Sequence, residues 1–106
     1  ATPKTLAPIR QTGAFRTNLV LANPTEDAET ALVALYGADG ALLGSREVEL
    51  PPLGMTQVSG VAAALGAPYL ALGRLAVSTP TPGGAVAAYA SVIDNTTNDP
   101  RTLLPR

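Results

Sequence analysis

Along the whole chain, apolar residues come in short runs, each closed by Pro, Gly, Asn or Asp. That punctuation marks an all-β domain. AFRTNLVLAN (Ala14 to Asn23) predicts a strand stopped by Asn23-Pro24, and TALVALYG (Thr30 to Gly37) predicts the next. Asp39-Gly40 then supplies the residues of a two-residue hairpin turn, and ALLGSREVEL (Ala41 to Leu50) returns from it. In its second half Arg46, Val48 and Leu50 alternate with Glu47 and Glu49, the pattern of one buried and one wet face. A short strand is predicted through Met55 to Val58, and one helical turn from Val61 to Gly66 crosses between sheets. Tyr69 to Thr79 is a strand entered around Gly73, TPTPGG a loop, Ala85 to Asp94 the most clearly marked strand and NTTNDP a polar turn. The closing RTLLPR is extended, because Pro105 disfavours helix in the residue before it.

About seven strands at this spacing in 106 residues predict an all-β fold, an immunoglobulin-like two-sheet antiparallel sandwich, with a small barrel as the alternative. The length suits one domain with a single core, 1–106. In AVAAYASVI, NLVLA and TALVALY both residue parities are apolar or small, so those strands have no clearly wet face. Either small side chains are tolerated on an outer surface, or the outer faces pack against neighbouring copies. Charged residues are 14% of the chain, against roughly 25% in ordinary soluble domains, which favours the second reading.

Composition also removes whole classes of function. Net charge is −1, with Arg and Glu scattered singly, and Phe and Tyr together number four. That leaves neither a basic patch for phosphates nor a stacking platform for bases, so no nucleic acid is expected as partner. Cys and His are absent, which removes thiol chemistry, the commonest metal ligand and the commonest general base. The two charge-poor stretches, Leu50 to Gly73 and Leu75 to Ile93, are broken by Pro and Gly and do not make membrane spans.

The two ends of the chain repeat one segment. PKTLAPIR (Pro3 to Arg10) aligns without a gap on PRTLLPR (Pro100 to Arg106), with Pro3/Pro100, Thr5/Thr102, Leu6/Leu103 and Pro8/Pro105 identical. The offset from Thr5 to Thr102 is 97 residues, about one sandwich. Segments 1–10 and 100–106 are therefore read as equivalent terminal strands.

FRTNLVLANPTEDAETALVALYGADGALLGSREVELPPLGMTQV, with GRLAVST and GGAVAAYASVIDNTTNDPRTLLP, resembles the Ig-like β-sandwich repeats of secreted and surface proteins of bacteria. The resemblance covers nearly the whole chain and implies an extracellular or cell-surface location. It carries no catalytic or ligand residues, and fold analogy alone does not give function. In a tandem array the closing segment of one repeat lies where the next one opens, which accounts for the echo. If one sandwich has a slot for only one copy of the segment, the spare copy fills a neighbour's slot and adds a strand to its edge. Thr5, Leu6, Pro8 and Ile9, or Thr102, Leu103, Leu104 and Pro105, are then the assembly strand. Repeated head-to-tail, such a contact propagates into a filament or array.

The other constellations read more plainly. DNTTND (Asp94 to Asp99) is the densest group of oxygen ligands, but it lacks calcium-loop spacing and suits a tight turn. Asn95-Thr96-Thr97 has the N-x-T acceptor pattern for glycosylation. Glu26, Asp27 and Glu29 read as a solvated loop tip, and Ser45, Ser59, Ser78 and Ser91 lack both a nucleophile elbow and a His. We therefore expect no enzyme, no metal and no cofactor. An adhesion or carbohydrate-binding module is the rival, resting on Tyr36, Tyr69 and Tyr89, which form no evident planar strip.

Overall fold

The computed structural model describes residues 4–80 and 85–105. Residues 81–84 of the expected TPTPGG loop, and Pro3 and Arg106 of the repeated segment, lie outside the described residues. Among the described residues the strands are β1 (Lys4–Gln11), β2 (Phe15–Ala22), β3 (Glu29–Gly37), β4 (Leu42–Leu50) and β5 (Met55–Val58). The helical turn α1 (Val61–Ala64) follows, then β6 (Leu70–Ser78), β7 (Ala87–Asp94) and β8 (Pro100–Leu103).

The chain is an all-β sandwich of two antiparallel four-stranded sheets, β1-β6-β3-β4 and β5-β2-β7-β8. The immunoglobulin sheet ABED sets the first two strands side by side. Here β1 pairs with β6, while β2 lies between β5 and β7. The opening segment makes an eighth strand despite Pro8, because it is an edge strand and its ladder is irregular between Leu6 and Ile9.

Alternation decides what is buried. Leu19 and Leu21 of β2 and Ala88, Ala90 and Val92 of β7 point inward from one sheet, against Val33 and Leu35 of β3 and Leu75 and Val77 of β6 from the other. The small alanines on one wall match the leucines on the other, and each buried large side chain contributes roughly 1.5–3 kcal/mol. Val61, Ala62 and Leu65 of the α1 segment plug one end of this core.

Three expectations are corrected. The β3–β4 connection is a three-residue loop, Ala38 to Gly40, because Gly37 N–H donates to Ala41 O at 2.9 Å and only Gly40 has positive φ, at 85°. Asp39 Oδ1 accepts from Ala41 N–H at 3.0 Å, which favours this loop over the two-residue turn. Strand β6 begins at Leu70 and runs through Gly73, whose missing Cβ leaves room for the Tyr36 carbonyl and the Leu70 side chain. Glu29 is 5% exposed and accepts a hydrogen bond from Thr79 Oγ1 at 3.3 Å, so it is no part of a solvated tip.

Strand directions create two unlike poles. At the first, called the terminal pole, β1 and β7 start and β8 ends: Lys4 Nζ donates to Val86 O at 2.7 Å, and Leu103 pairs with Ala90. The loop of residues 23–28 lies there too. At the opposite, hairpin pole are the β1–β2 turn, the β3–β4 loop, α1 and the turn at residues 95–98. Among the described residues the strands number eight, an even number, which brings the start of β1 and the end of β8 to the same pole.

Candidate assembly site

Strands β1 and β8 are each the edge of a different sheet, and together they bound one open side of the sandwich. Between them runs a groove of about 470 Å³, lined by Pro8 and Arg10 of β1, Pro100, Arg101 and Leu103 of β8, and Phe15 and Val92 below. Each copy of the repeated segment has its own berth. The premise of one slot and a spare copy therefore does not hold, because the sandwich offers two facing edges.

The repeated residues do the same work in both places. Leu6 is fully buried opposite Leu75, and Leu103, at 8% exposure, is buried opposite Ala90. Thr5 pairs with Ala76 and Thr102 with Ser91, both toward the outer surface. Pro8 is exposed and Pro105 half-buried. Past the prolines the likeness ends: Ile9 is a second fully buried anchor of β1, whereas β8 presents Leu104 to solvent at 70%.

The anchoring of β1 goes beyond its ladder with β6. Thr17 on β2 is fully buried, and its Oγ1 donates to Arg10 O at 2.8 Å and accepts from Arg10 N–H at 3.1 Å. This hydroxyl closes the backbone of β1 onto the other sheet where the β1–β6 ladder is irregular. Nothing in the sequence pattern marks Thr17, since a Thr in a strand is ordinary. Thr17→Val leaves two backbone groups unsatisfied and should lower stability by about 1–3 kcal/mol, read from a urea midpoint.

Asn23 is the second residue that pattern reading passed over. It is 2% exposed; its Nδ2 donates to Asp27 O at 2.7 Å and Pro51 O at 3.1 Å, while Oδ1 accepts from Thr25 N–H and Oγ1. One side chain thus holds the loop of residues 24–28 in a single shape, with Glu26 and Asp27 exposed on it. The oxygen-rich DNTTND run folds as a turn: Asp94 Oδ1 accepts from Thr96 N–H and Thr97 N–H, and Asn98 takes φ 60°. Among the described residues, no three His, Cys, Asp or Glu come together to hold a metal ion.

All four sheet edges carry protection against added strands. The β1 edge has Pro8 and an irregular ladder, and β8 has four residues between Pro100 and Pro105. The β5 edge also has only four residues, and β4 presents exposed Arg46, Glu47 and Glu49. The outer faces are less polar. On one, Leu32, Ala34 and Ala76 lie beside Tyr36, over which Arg74 stacks at 4.2 Å. On the other, Val20, Ala22, Met55 and Tyr89 lie together with Met55 and Tyr89 exposed. Tyr36 and Tyr89 are thus on opposite faces, and Tyr69 stands ahead of β6 at the hairpin pole.

No protein-family model and no curated protein matches the chain. The crystal structure of Thermotoga maritima 1070 is similar: the TM-score is 0.77, with 16% identity over 100% of this chain and 93% of that one. At that identity the likeness concerns the fold alone. Among the described residues, no helix is long and apolar enough to cross a membrane.

Proposed function

We propose that this chain is a structural, self-associating module of the bacterial surface, an Ig-like repeat whose copies join by exchanging terminal strands into a filament or array. The observation that carries the reading is the state of β1. It is an edge strand with a strand partner on one side only, yet it buries Leu6 and Ile9 completely. It is joined to the rest by the short Thr12 to Ala14 connection, so it can leave as a unit. Because every berth is filled, the exchange is of like for like. A neighbour's β1 restores each lost contact, and the cost is the ordering of two molecules. Protected outer edges also favour replacement over addition. No catalytic residue enters this reading, and no cofactor or nucleic acid. The low charge and apolar outer faces suit close packing of copies.

The test uses Thr5 and Ala76, cross-strand neighbours on the outer face. A T5C chain mixed with an A76C chain is expected to form a disulfide heterodimer under mild oxidation. The doubly substituted T5C/A76C chain should close internally, which checks the geometry. Light scattering on the unmodified chain should show an open series of oligomers. A monomer at millimolar concentration with no trapped heterodimer would sink the reading.

A further inference from the structure

The charges that are scattered in the sequence are sorted by the fold. Glu26, Asp27, Glu29, Glu47 and Glu49 all fall toward the terminal pole: Glu29 begins β3, Glu49 pairs with Thr30 and Glu47 with Leu32. Arg10, Arg16, Arg74 and Arg101 fall toward the hairpin pole, where Arg16 and Arg101 flank the end of β7 and Arg74 pairs with Tyr36. Lys4 is the exception, a cation that starts β1 at the terminal pole opposite Val77, and Arg46 lies in the same row across the sheet, opposite Val33. Three Asp residues, Asp39, Asp94 and Asp99, accompany the arginines in or beside the turns of the hairpin pole.

The groove between β1 and β8 opens at this arginine-bearing pole. Arg10 lies over the Phe15 ring at 5.3 Å, with Arg101 lining the same groove. Among the described residues, neither guanidinium is hydrogen-bonded or ion-paired. Two carboxylates also line the groove. Asp94 is turned into its own turn by the Thr96 and Thr97 N–H groups, while Asp99 is exposed. Pro8, Val92 and Leu103 complete an apolar floor.

We infer that this groove receives the loop of residues 24–28 of a second copy, with Glu26 and Asp27 set against Arg10 and Arg101. The occupant is argued from charge and from shape. That loop presents two exposed carboxylates at the opposite pole, held in one conformation by Asn23, so little freedom is lost on docking. The contact joins unlike surfaces, so each copy offers one and receives one, and a chain of copies propagates head-to-tail. It goes beyond strand exchange and needs no strand to leave its berth. Both exchange hinges lie at the hairpin pole, so exchange alone leaves the acidic pole uncovered. Charge pairing at such a rim sets orientation and partner choice more than raw affinity.

Charge-swapped full-length chains test this by analytical ultracentrifugation. E26K/D27K reverses the charge of the loop itself, and R101E, alone or with R10E, removes the basic partner. Each variant alone is expected to self-associate roughly tenfold more weakly than the original, and an equimolar mixture of E26K/D27K with R10E/R101E should recover association. Raising NaCl from about 0.05 to about 0.5 M should weaken the original chain, because the Debye length shortens several-fold. D99N should strengthen association by removing the one carboxylate that faces the incoming loop. Thermal melts of R10E and R101E separate lost association from lost folding, and R101E carries the test if R10E unfolds. Unchanged association in E26K/D27K or R101E, or a mixture that fails to recover, overturns the inference. The T5C with A76C trap reads strand exchange separately, so either contact can fail while the other stands.

Discussion

Leu6→Ala is expected to lower stability by about 3 kcal/mol, within the range for deleting a fully buried leucine side chain. Leu6 has no exposed surface, and its partner Leu75 is equally buried, so the cavity left behind has rigid walls. For a domain of this size that loss corresponds to a fall of roughly 15 °C in Tm. The echo makes Leu103→Ala the natural comparison. Leu103 is 8% exposed on a strand half as long, so about 2 kcal/mol is expected there. Urea unfolding followed by circular dichroism reads both. Both variants should keep an unchanged m-value if β1 and β8 belong to the one cooperative core. A loss below about 1 kcal/mol for Leu6→Ala would mean that β1 is not seated as described. The variant bears on assembly as well, since an emptied Leu6 site weakens β1 in its own berth and in a neighbour's alike.

Gly44→Ala should be almost as costly, about 3 kcal/mol, at the upper end of what overpacking a tight site does. Gly44 is on the inner side of β4 opposite Leu35, and the Leu65 backbone carbonyl rests directly on it. A methyl group at that position would collide with the carbonyl oxygen, which belongs to main chain and cannot rotate aside. Relief requires the α1 segment to lift, which exposes Val61, Ala62 and Leu65 together. The expected signature is early loss of protection for the α1 amides in hydrogen exchange, alongside the lower urea midpoint. Gly13 is the control: it has open space around it, so Gly13→Ala should change stability by less than about 0.5 kcal/mol.

Much of the sandwich was legible in the sequence because its code is local. Short apolar runs marked Phe15 to Ala22 and Glu29 to Gly37 as strands, and Pro, Gly and Asn cut them near their true ends, while which of their two apolar parities faces inward was left to the sheets. The Ala-rich run from Val61 became a helical turn, and the repeated segment became two strands of matching inward phase. The turn chemistry was legible at Asp94 to Asn98 and less so at Asp39-Gly40. There the side chain of Asp39 chose a three-residue loop over the two-residue turn that the dipeptide suggests.

What pairs with what was decided only in three dimensions, because strand pairing is a contact between distant segments and local alternation does not say which. Placing β1 on β6 and β8 on β7 gave each copy of the segment its own edge and opened the Arg10–Arg101 groove between them. The same pairing buried Glu29 against Thr79 and turned Asn23 from a strand stop into the clasp of a loop. It also collected all four glutamates toward one pole, although they come from two separate segments of the chain. A single charge has no pole until the direction of its strand is set, and strand direction is a property of the assembled sheets.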